Sequence, residues 1–310
     1  MPSLKKILFA AETFLTHIGL AILPAFPRRL LLACASAAGA VAWRLAPKMR
    51  RVALANLDVV FGDSLSTGEK RRIARLAFRT MAMVVLDLFW FSKLLEERVR
   101  RYVRVDPSLH KHIHTAPMIG ITAHLGNWEL LSKALGVHGF RHVAVAMPLE
   151  NPGVDAIIGD ERSVPGVEIV PRQGAVRALL RALRQKKHVA LLLDKNTKPD
   201  EGGIFVNFFS LPIPMSTAAA VLSERSGAPI VPVFCRMEPD GSYIVYSMPP
   251  LELREEDTIP AVTQAIASLF EREIRAHPGQ WLWMYKRWKY IFSPELAPRY
   301  PFYAKPLRGK

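Results

Sequence analysis

Apolar and polar positions change rhythm along this chain. From Ile7 to Pro27 the side chains are mostly apolar, interrupted by Glu12 and His17. After Arg28-Arg29, the stretch Leu30 to Trp43 carries no charge. Neither run reaches the ~18 apolar residues that read cleanly as a membrane span. Residues 56 to 100 follow a helical period. Ile73, Leu76, Ala77, Thr80, Met81, Val84 and Val85 recur at three- and four-residue spacing behind Ser66 or Thr67, either of which can cap a helix starting near Gly68. Phe89-Trp90-Phe91 then reads as core, or as an aromatic belt at a membrane interface.

From about residue 117 short apolar runs alternate with amphipathic helices. The runs are Met118–Thr122, His142–Met147, Val167–Val170, His188–Leu193 and Pro229–Cys235. Between the third and fourth, Gly174–Lys186 puts Val176, Leu179, Leu180 and Leu183 on one face and Arg177, Arg181 and Arg184 on the other. Strand-helix-strand alternation predicts an α/β fold with a mainly parallel central sheet flanked by helices. Tyr243–Met248 is expected as an antiparallel addition, because Pro239-Asp240-Gly241 reads as a hairpin turn. A long helix is expected over Ile259–Ala276, and an aromatic, basic tail from Trp281 packed over the surface.

Composition narrows the N-terminal reading. Lys and Arg number 42 against 27 Asp and Glu, a net charge of +15, while half of the residues are hydrophobic. The chain is therefore folded, and its partner is expected to be anionic. Basic and apolar together favour a membrane surface over a nucleic acid. Arg44, Lys48, Arg50 and Arg51 follow the apolar stretches at once, as a basic cluster does on the cytoplasmic side of an anchor. A cleaved signal peptide fits poorly, because Arg28-Arg29 interrupt the apolar region just before Ala33-Cys34-Ala35. Residues 1–50 are thus expected as a membrane-anchoring helical segment, with buried core helices as the alternative. Residues 51–310 are expected as one α/β domain with a helical lead-in over 51–110. Two cysteines exclude a disulfide scaffold and a Cys-rich zinc site. His110, His112 and His114 look metal-like, but their spacing matches no standard zinc site and no cysteine lies nearby.

The chemistry concentrates in one string, Ile119-Gly-Ile-Thr-Ala-His124-Leu-Gly-Asn127-Trp-Glu129. A strand runs into His124, a glycine turn, and a helix that Asn127 can cap. Ligands bind at the carboxyl ends of strands in open α/β sheets, so His124 is delivered to such an edge. Glu129 falls in the first helical turn. If the turn folds back, its carboxylate can orient the imidazole and leave the other nitrogen as a general base. A helix-capping turn with a solvated histidine is the bland alternative. Asp194 ends another apolar strand, at the same edge if the strands are parallel, as a loop cap or a site residue.

His124-Leu-Gly-Asn-Trp-Glu129 resembles the H-x4-D/E block of the glycerolipid acyltransferase superfamily. The fuller chain resembles the bacterial lipid A biosynthesis acyltransferases, in order: Asn56-Leu-Asp-Val-Val-Phe61 with Arg71–Arg79, Pro148-Leu-Glu-Asn-Pro152 with Asp155 and Arg162, Leu193-Asp194 with Gly203-Ile-Phe-Val-Asn-Phe-Phe209, Gly227-Ala-Pro-Ile-Val-Pro232, and Gln280-Trp-Leu-Trp-Met-Tyr-Lys-Arg287. Two places depart from the family pattern: Met147 stands where an arginine is common, and Lys195 follows Asp194 where a glutamine is common.

The resemblance implies acyl transfer from an acyl-carrier-protein thioester to a hydroxyl of a membrane glycolipid such as a lipid A precursor. The enzyme would sit at the cytoplasmic face of a bacterial inner membrane and need no metal or organic cofactor. His124 and Glu129 are then the catalytic residues, and Asn127, Arg162 and Asp194 bind substrate. The tetrahedral oxyanion would be met by Arg162 or by backbone N–H groups near Asn127. Another acceptor is the alternative: a glycerophospholipid, a phosphoinositide mannoside or another glycolipid. A non-catalytic basic protein of the membrane surface is the other. No nucleic-acid-binding signature accompanies the charge.

Overall fold

In a computed structural model, which describes residues 4–110, 117–254 and 256–307, the chain begins with helices α1 (Leu4–Ile22), α2 (Arg28–Leu45), α3 (Pro47–Phe61), α4 (Thr67–Trp90) and α5 (Leu95–Tyr102). Helix α4 starts as its sequence says. Ser66 Oγ accepts from the Glu69 N–H, and the Glu69 carboxylate accepts from the Ser66 N–H at 2.8 Å, a reciprocal capping box. Gly39 lets α2 lie against α4: a Cβ there would come within 2.7 Å of Arg79 Cα. Residue 50 falls inside α3. Leu31 and Ala35 of α2 are fully buried against the body of the protein.

Strand β1 (Val103–Val105) and the short α6 (Pro107–His110) lead into the alternating region: β2 (Ile119–Thr122), α7 (Trp128–Val137), β3 (His142–Ala146), α8 (Pro152–Arg162), β4 (Val167–Pro171), α9 (Ala175–Arg184) and β5 (His188–Leu192). The hairpin β6 (Gly203–Phe208) and β7 (Leu211–Ser216), α10 (Ala218–Ser226), β8 (Ile230–Met237), β9 (Tyr243–Ser247) and α11 (Ile259–Ala276) follow. Two short strands, β10 (Tyr290–Ile291) and β11 (Lys305–Pro306), pair in the tail. The seven-stranded sheet has the order β1-β9-β8-β2-β5-β3-β4. Neighbours are parallel except β8 and β9, joined antiparallel through the turn at Gly241. The mixed α/β fold, the mainly parallel sheet and the apolar N-terminal helix match the expectation.

Core lies on both faces of the sheet. Along β8, Ile230 and Phe234 enter one apolar cluster while Val231, Val233 and Cys235 enter the other, as strand alternation requires. The tail departs from its expected place over the surface. Trp281, Trp283 and Trp288 are all at most 2% exposed. Burying 150–250 Å² per indole contributes about 4–6 kcal/mol each, more than a surface strap would gain. The β6–β7 hairpin was also unexpected; Pro212 and Pro214 mask the alternation of its second strand.

Among the described residues, one helical stretch, Leu4–Ala25, is long and apolar enough to cross a membrane, and within it only Thr16 and Pro24 are buried. Helices α2 and α3 pass that test only together and bend by 94° at their junction. His112 and His114 lie outside the described residues, as does the side chain of His110.

Candidate active site

Strand register builds the centre of the site. In the parallel pair β2–β5, Thr122 is opposite Leu192. Two residues beyond each come His124 and Asp194, so the register places both on the same sheet edge. Their side chains meet: His124 Nδ1 lies 2.6 Å from Asp194 Oδ1. Asp194 Oδ2 accepts the Trp281 indole N–H at 2.9 Å. His124 is 5% exposed and Asp194 3%. A carboxylate on Nδ1 holds the proton there and leaves Nε2 with its lone pair facing away from Asp194. Trp128 packs edge-on against the imidazole, ring centroids 4.9 Å apart.

The loop carrying His124 is clamped on two sides. The Gly126 N–H donates to Gln280 O at 2.9 Å, and Leu282 N–H to His124 O at 3.1 Å. The Asn127 N–H donates to Cys235 O at 2.8 Å. Gly126 is required there: its φ is +63°, and a Cβ would lie 2.0 Å from Cys235 O.

Asp194 stays ionised although it is buried. Desolvation pushes its carboxyl up, but His124, the Arg287 charge and the Trp281 N–H together hold it well below the usual carboxylate range. Arg287 is fully buried, its guanidinium 5.2 Å from the Phe208 ring centroid. None of its side-chain nitrogens has a hydrogen-bond acceptor among the described residues. Desolvation lowers its pKa, and Asp194 is the main charge opposing that.

Glu129 is not the partner of His124. Its carboxylate faces α8, where Arg162 grips it through Nε at 2.9 Å and Nη2 at 2.7 Å. The reason is direction. Nδ1 of His124 faces the neighbouring strand β5, whereas Glu129, already in the first turn of α7, projects across to the end of α8. Burial lowers the Arg162 pKa, but the Glu129 hydrogen bonds and charge outweigh it and the guanidinium is held charged. One turn along, Lys133 Nζ lies 3.3 Å from Glu161.

Asn127 also departs from its expected role in binding substrate. It is 1% exposed, and its side chain is fully used. Oδ1 accepts the Leu130 N–H at 3.0 Å, capping α7, and Nδ2 donates to Asp87 at 3.1 Å and Tyr243 Oη at 3.3 Å. With the N–H groups of Gly126 and Asn127 taken by carbonyls, those two are closed to an oxyanion. Arg162, with Nη1 outside its fork, keeps a donor.

Sequence reasoning singled out His124, Glu129, Asn127, Arg162 and Asp194, and all five lie around this sheet edge. It misassigned the contacts among them. It missed Trp281 as the second anchor of Asp194, Arg287 as the buried countercharge, and Asp87 behind Asn127. Trp281 and Arg287 stand in the Gln280–Arg287 string, but nothing local ties Trp281 to a carboxylate 87 positions away.

A buried His–Asp pair whose ring makes no hydrogen bond to a Ser, Thr or Cys side chain among the described residues is suited to activating an external hydroxyl. The chain is 29% identical over 187 residues to the phosphatidylinositol mannoside acyltransferase of Mycobacterium tuberculosis, an alignment covering 57% of this chain and 58% of that protein. It is 23% identical over 309 residues to the lipid A biosynthesis lauroyltransferase of Escherichia coli K12, covering 96% and 98%. A 1-acyl-sn-glycerophosphate acyltransferase structure from Thermotoga maritima covers 81% of this chain and 98% of its own, with 14% identity and a TM-score of 0.37. Residues 3–290 match the bacterial lipid A biosynthesis acyltransferases, and the chain belongs to that family.

Proposed function

We propose that this acyltransferase moves a fatty acyl group from an acyl-carrier-protein thioester to a hydroxyl of a membrane glycolipid, with His124 as general base. The observation that carries the reading is the His124–Asp194 pair at the sheet edge. Nε2 takes the proton of the acceptor hydroxyl as its oxygen attacks the thioester carbonyl. Asp194 steadies the imidazolium that forms. The tetrahedral oxyanion is met by Arg162, oriented by Glu129. Collapse breaks the C–S bond, and the departing thiolate takes the proton back from His124. Product ester and free carrier thiol balance the reaction.

A lipid A precursor is the favoured acceptor, because the lauroyltransferase aligns along nearly the whole chain. A mannosylated phosphoinositide is the second reading, favoured by the higher identity over the shorter match. Membrane attachment through α1 fits the acyl-lipid chemistry: Leu8, Phe14, Leu15 and Ile22 are exposed on it. On this reading residues 1–50 anchor the enzyme to the inner membrane, and residues 51–310 work at its cytoplasmic face.

The test is a donor and acceptor panel. Membranes containing the protein receive labelled acyl-carrier protein or acyl-CoA, with a tetraacylated lipid A precursor or a phosphatidylinositol mannoside. Label on the lipid A precursor from the carrier-protein donor is the expected result. Label only on the mannoside exchanges the acceptor and keeps the chemistry. No transfer in any combination overturns the proposal.

A further inference from the structure

Behind Asn127 lies a buried carboxylate that receives donors from three other parts of the chain. Asp87 on α4 is 1% exposed. Its oxygens pair with both terminal nitrogens of Arg28 at the start of α2, and accept from Tyr243 Oη on β9 and Asn127 Nδ2 at the head of α7. Arg28 is itself 7% exposed, donates to Gly241 O at 2.7 Å, and lies 5.0 Å from the centre of the Trp90 ring. So N-terminal helix, sheet and catalytic loop converge on one charge. Among the described residues, none of these four side chains hydrogen-bonds to His124, whose ring is held by Asp194.

We propose that Arg28 and Asp87 are positioning residues of the catalytic loop, tying the N-terminal apolar helices to the segment that carries His124 and Glu129. The tether runs from α2 through the Arg28–Asp87 ion pair to Asn127 Nδ2, while Asn127 Oδ1 caps α7. Loss of the carboxylate frees the first turn of α7, and with it Glu129 and the loop back to His124. A second contact of the same kind supports the coupling. Asn151, which caps α8, donates to Phe9 O at 2.8 Å and to Glu12 at 2.9 Å on α1. Both helices that present the Glu129–Arg162 fork are thus seated on the N-terminal pair. The apolar helices then do more than attach the protein; their seating sets the active-site geometry.

Asp87→Asn is a sharp probe, because every partner of Asp87 is a donor. An amide supplies one acceptor oxygen and turns an NH2 group on the remaining donors. Arg28→Lys keeps the charge and loses the fork. Leu183→Ala, at a 4%-exposed site on α9, serves as a control that lowers stability without touching the network. The inference rests on the acyl-transfer reading only for its kinetic readout. For each variant of the full chain, thermal midpoint, kcat and KM are measured, with hydrogen exchange of the peptide covering residues 124–135.

Asp87→Asn is expected to lose about 10–100-fold in kcat with KM within about twofold, as misplacing a catalytic group by up to about 1 Å does. Exchange over 124–135 is expected to quicken about tenfold, while Leu183→Ala with an equal fall in midpoint keeps kcat and that protection. Unchanged exchange over 124–135 in Asp87→Asn overturns the inference, as does an equal kcat loss in Leu183→Ala. A wild type inactive toward every acceptor overturns the acyl-transfer reading instead, and the exchange data still decide the tether.

Discussion

Replacing Asp194 by asparagine probes the core of the site with almost no change in shape. Asp194 has two hydrogen-bond partners, the Nδ1–H of His124 at 2.6 Å and the indole N–H of Trp281 at 2.9 Å, and both need an acceptor. Asparagine offers one oxygen. If that oxygen serves Trp281, the NH2 group faces His124, and the ring must turn Nδ1 into the acceptor and carry its proton on Nε2. That tautomer cannot accept a proton from a hydroxyl. If the oxygen serves His124 instead, the NH2 group opposes the indole N–H, leaving buried donors unpaired at about 1–3 kcal/mol. The first arrangement therefore dominates by roughly 5- to 150-fold, and only the remainder is a competent base. Loss of the carboxylate also removes the charge that steadies the imidazolium. A fall in kcat of about 10²–10⁴-fold follows, the upper end being that of a wrong-tautomer histidine. Adding Trp281→Phe removes the competing donor, so the double variant is expected to recover about tenfold over Asp194→Asn alone. The assay is single-turnover transfer with donor and acceptor saturating, on protein whose fold is checked by near-UV circular dichroism. Asp194→Asn within threefold of wild type, or strictly multiplicative losses in the double variant, would refute the reasoning.

Glu129→Gln and Arg162→Gln are each expected to cost at least about tenfold in transfer, and the pair together no more than the worse single change, because the fork acts as a unit; multiplied losses would show independent roles. Gly126→Ala should lower the thermal midpoint and abolish transfer, since its Cβ collides with Cys235 O at a positive φ; a normal midpoint contradicts the geometry. His142 is buried, and desolvation drives its pKa down to about 4 from 6.5, so the unfolded chain binds the proton first. Stability is then retained above pH 6.5 and lost as pH falls toward 4, by about 3 kcal/mol in all, a slope that His142→Gln should flatten in urea titrations. Phe14→Ser with Leu15→Ser, both on the exposed face of α1, should lower partition onto anionic vesicles while leaving the midpoint within about 2 °C.

The sheet was legible in the sequence because its strands are short, apolar and separated by amphipathic helices. Six runs marked from residue 118 to 248 became β2, β3, β4, β5, β8 and β9, within a residue or two at most ends. Strand β1 escaped notice: Val103–Val105 is three residues long and sits at the sheet edge. The tail was misjudged because proline and basic residues suggested exposure, while its three buried tryptophans decide the matter. At the site, residue identities were readable and pairings were not. A spacing of five, from His124 to Glu129, suggested contact. The real partner of His124 stands 70 positions away and is chosen by the register of two parallel strands, which local spacing does not encode. Asn127 shows the same limit. Its capping role is local and was foreseen, whereas the Asp87 contact depends on how α4 packs against α7.

The central claim is that His124 takes the proton from the acceptor hydroxyl while Asp194 holds the ring. Single-turnover acyl transfer by His124→Ala, beside wild type at matched amounts of folded protein, tests it most directly. The account predicts a loss of at least about 10³-fold with acceptor affinity retained. Transfer by His124→Ala at a rate near wild type would contradict it.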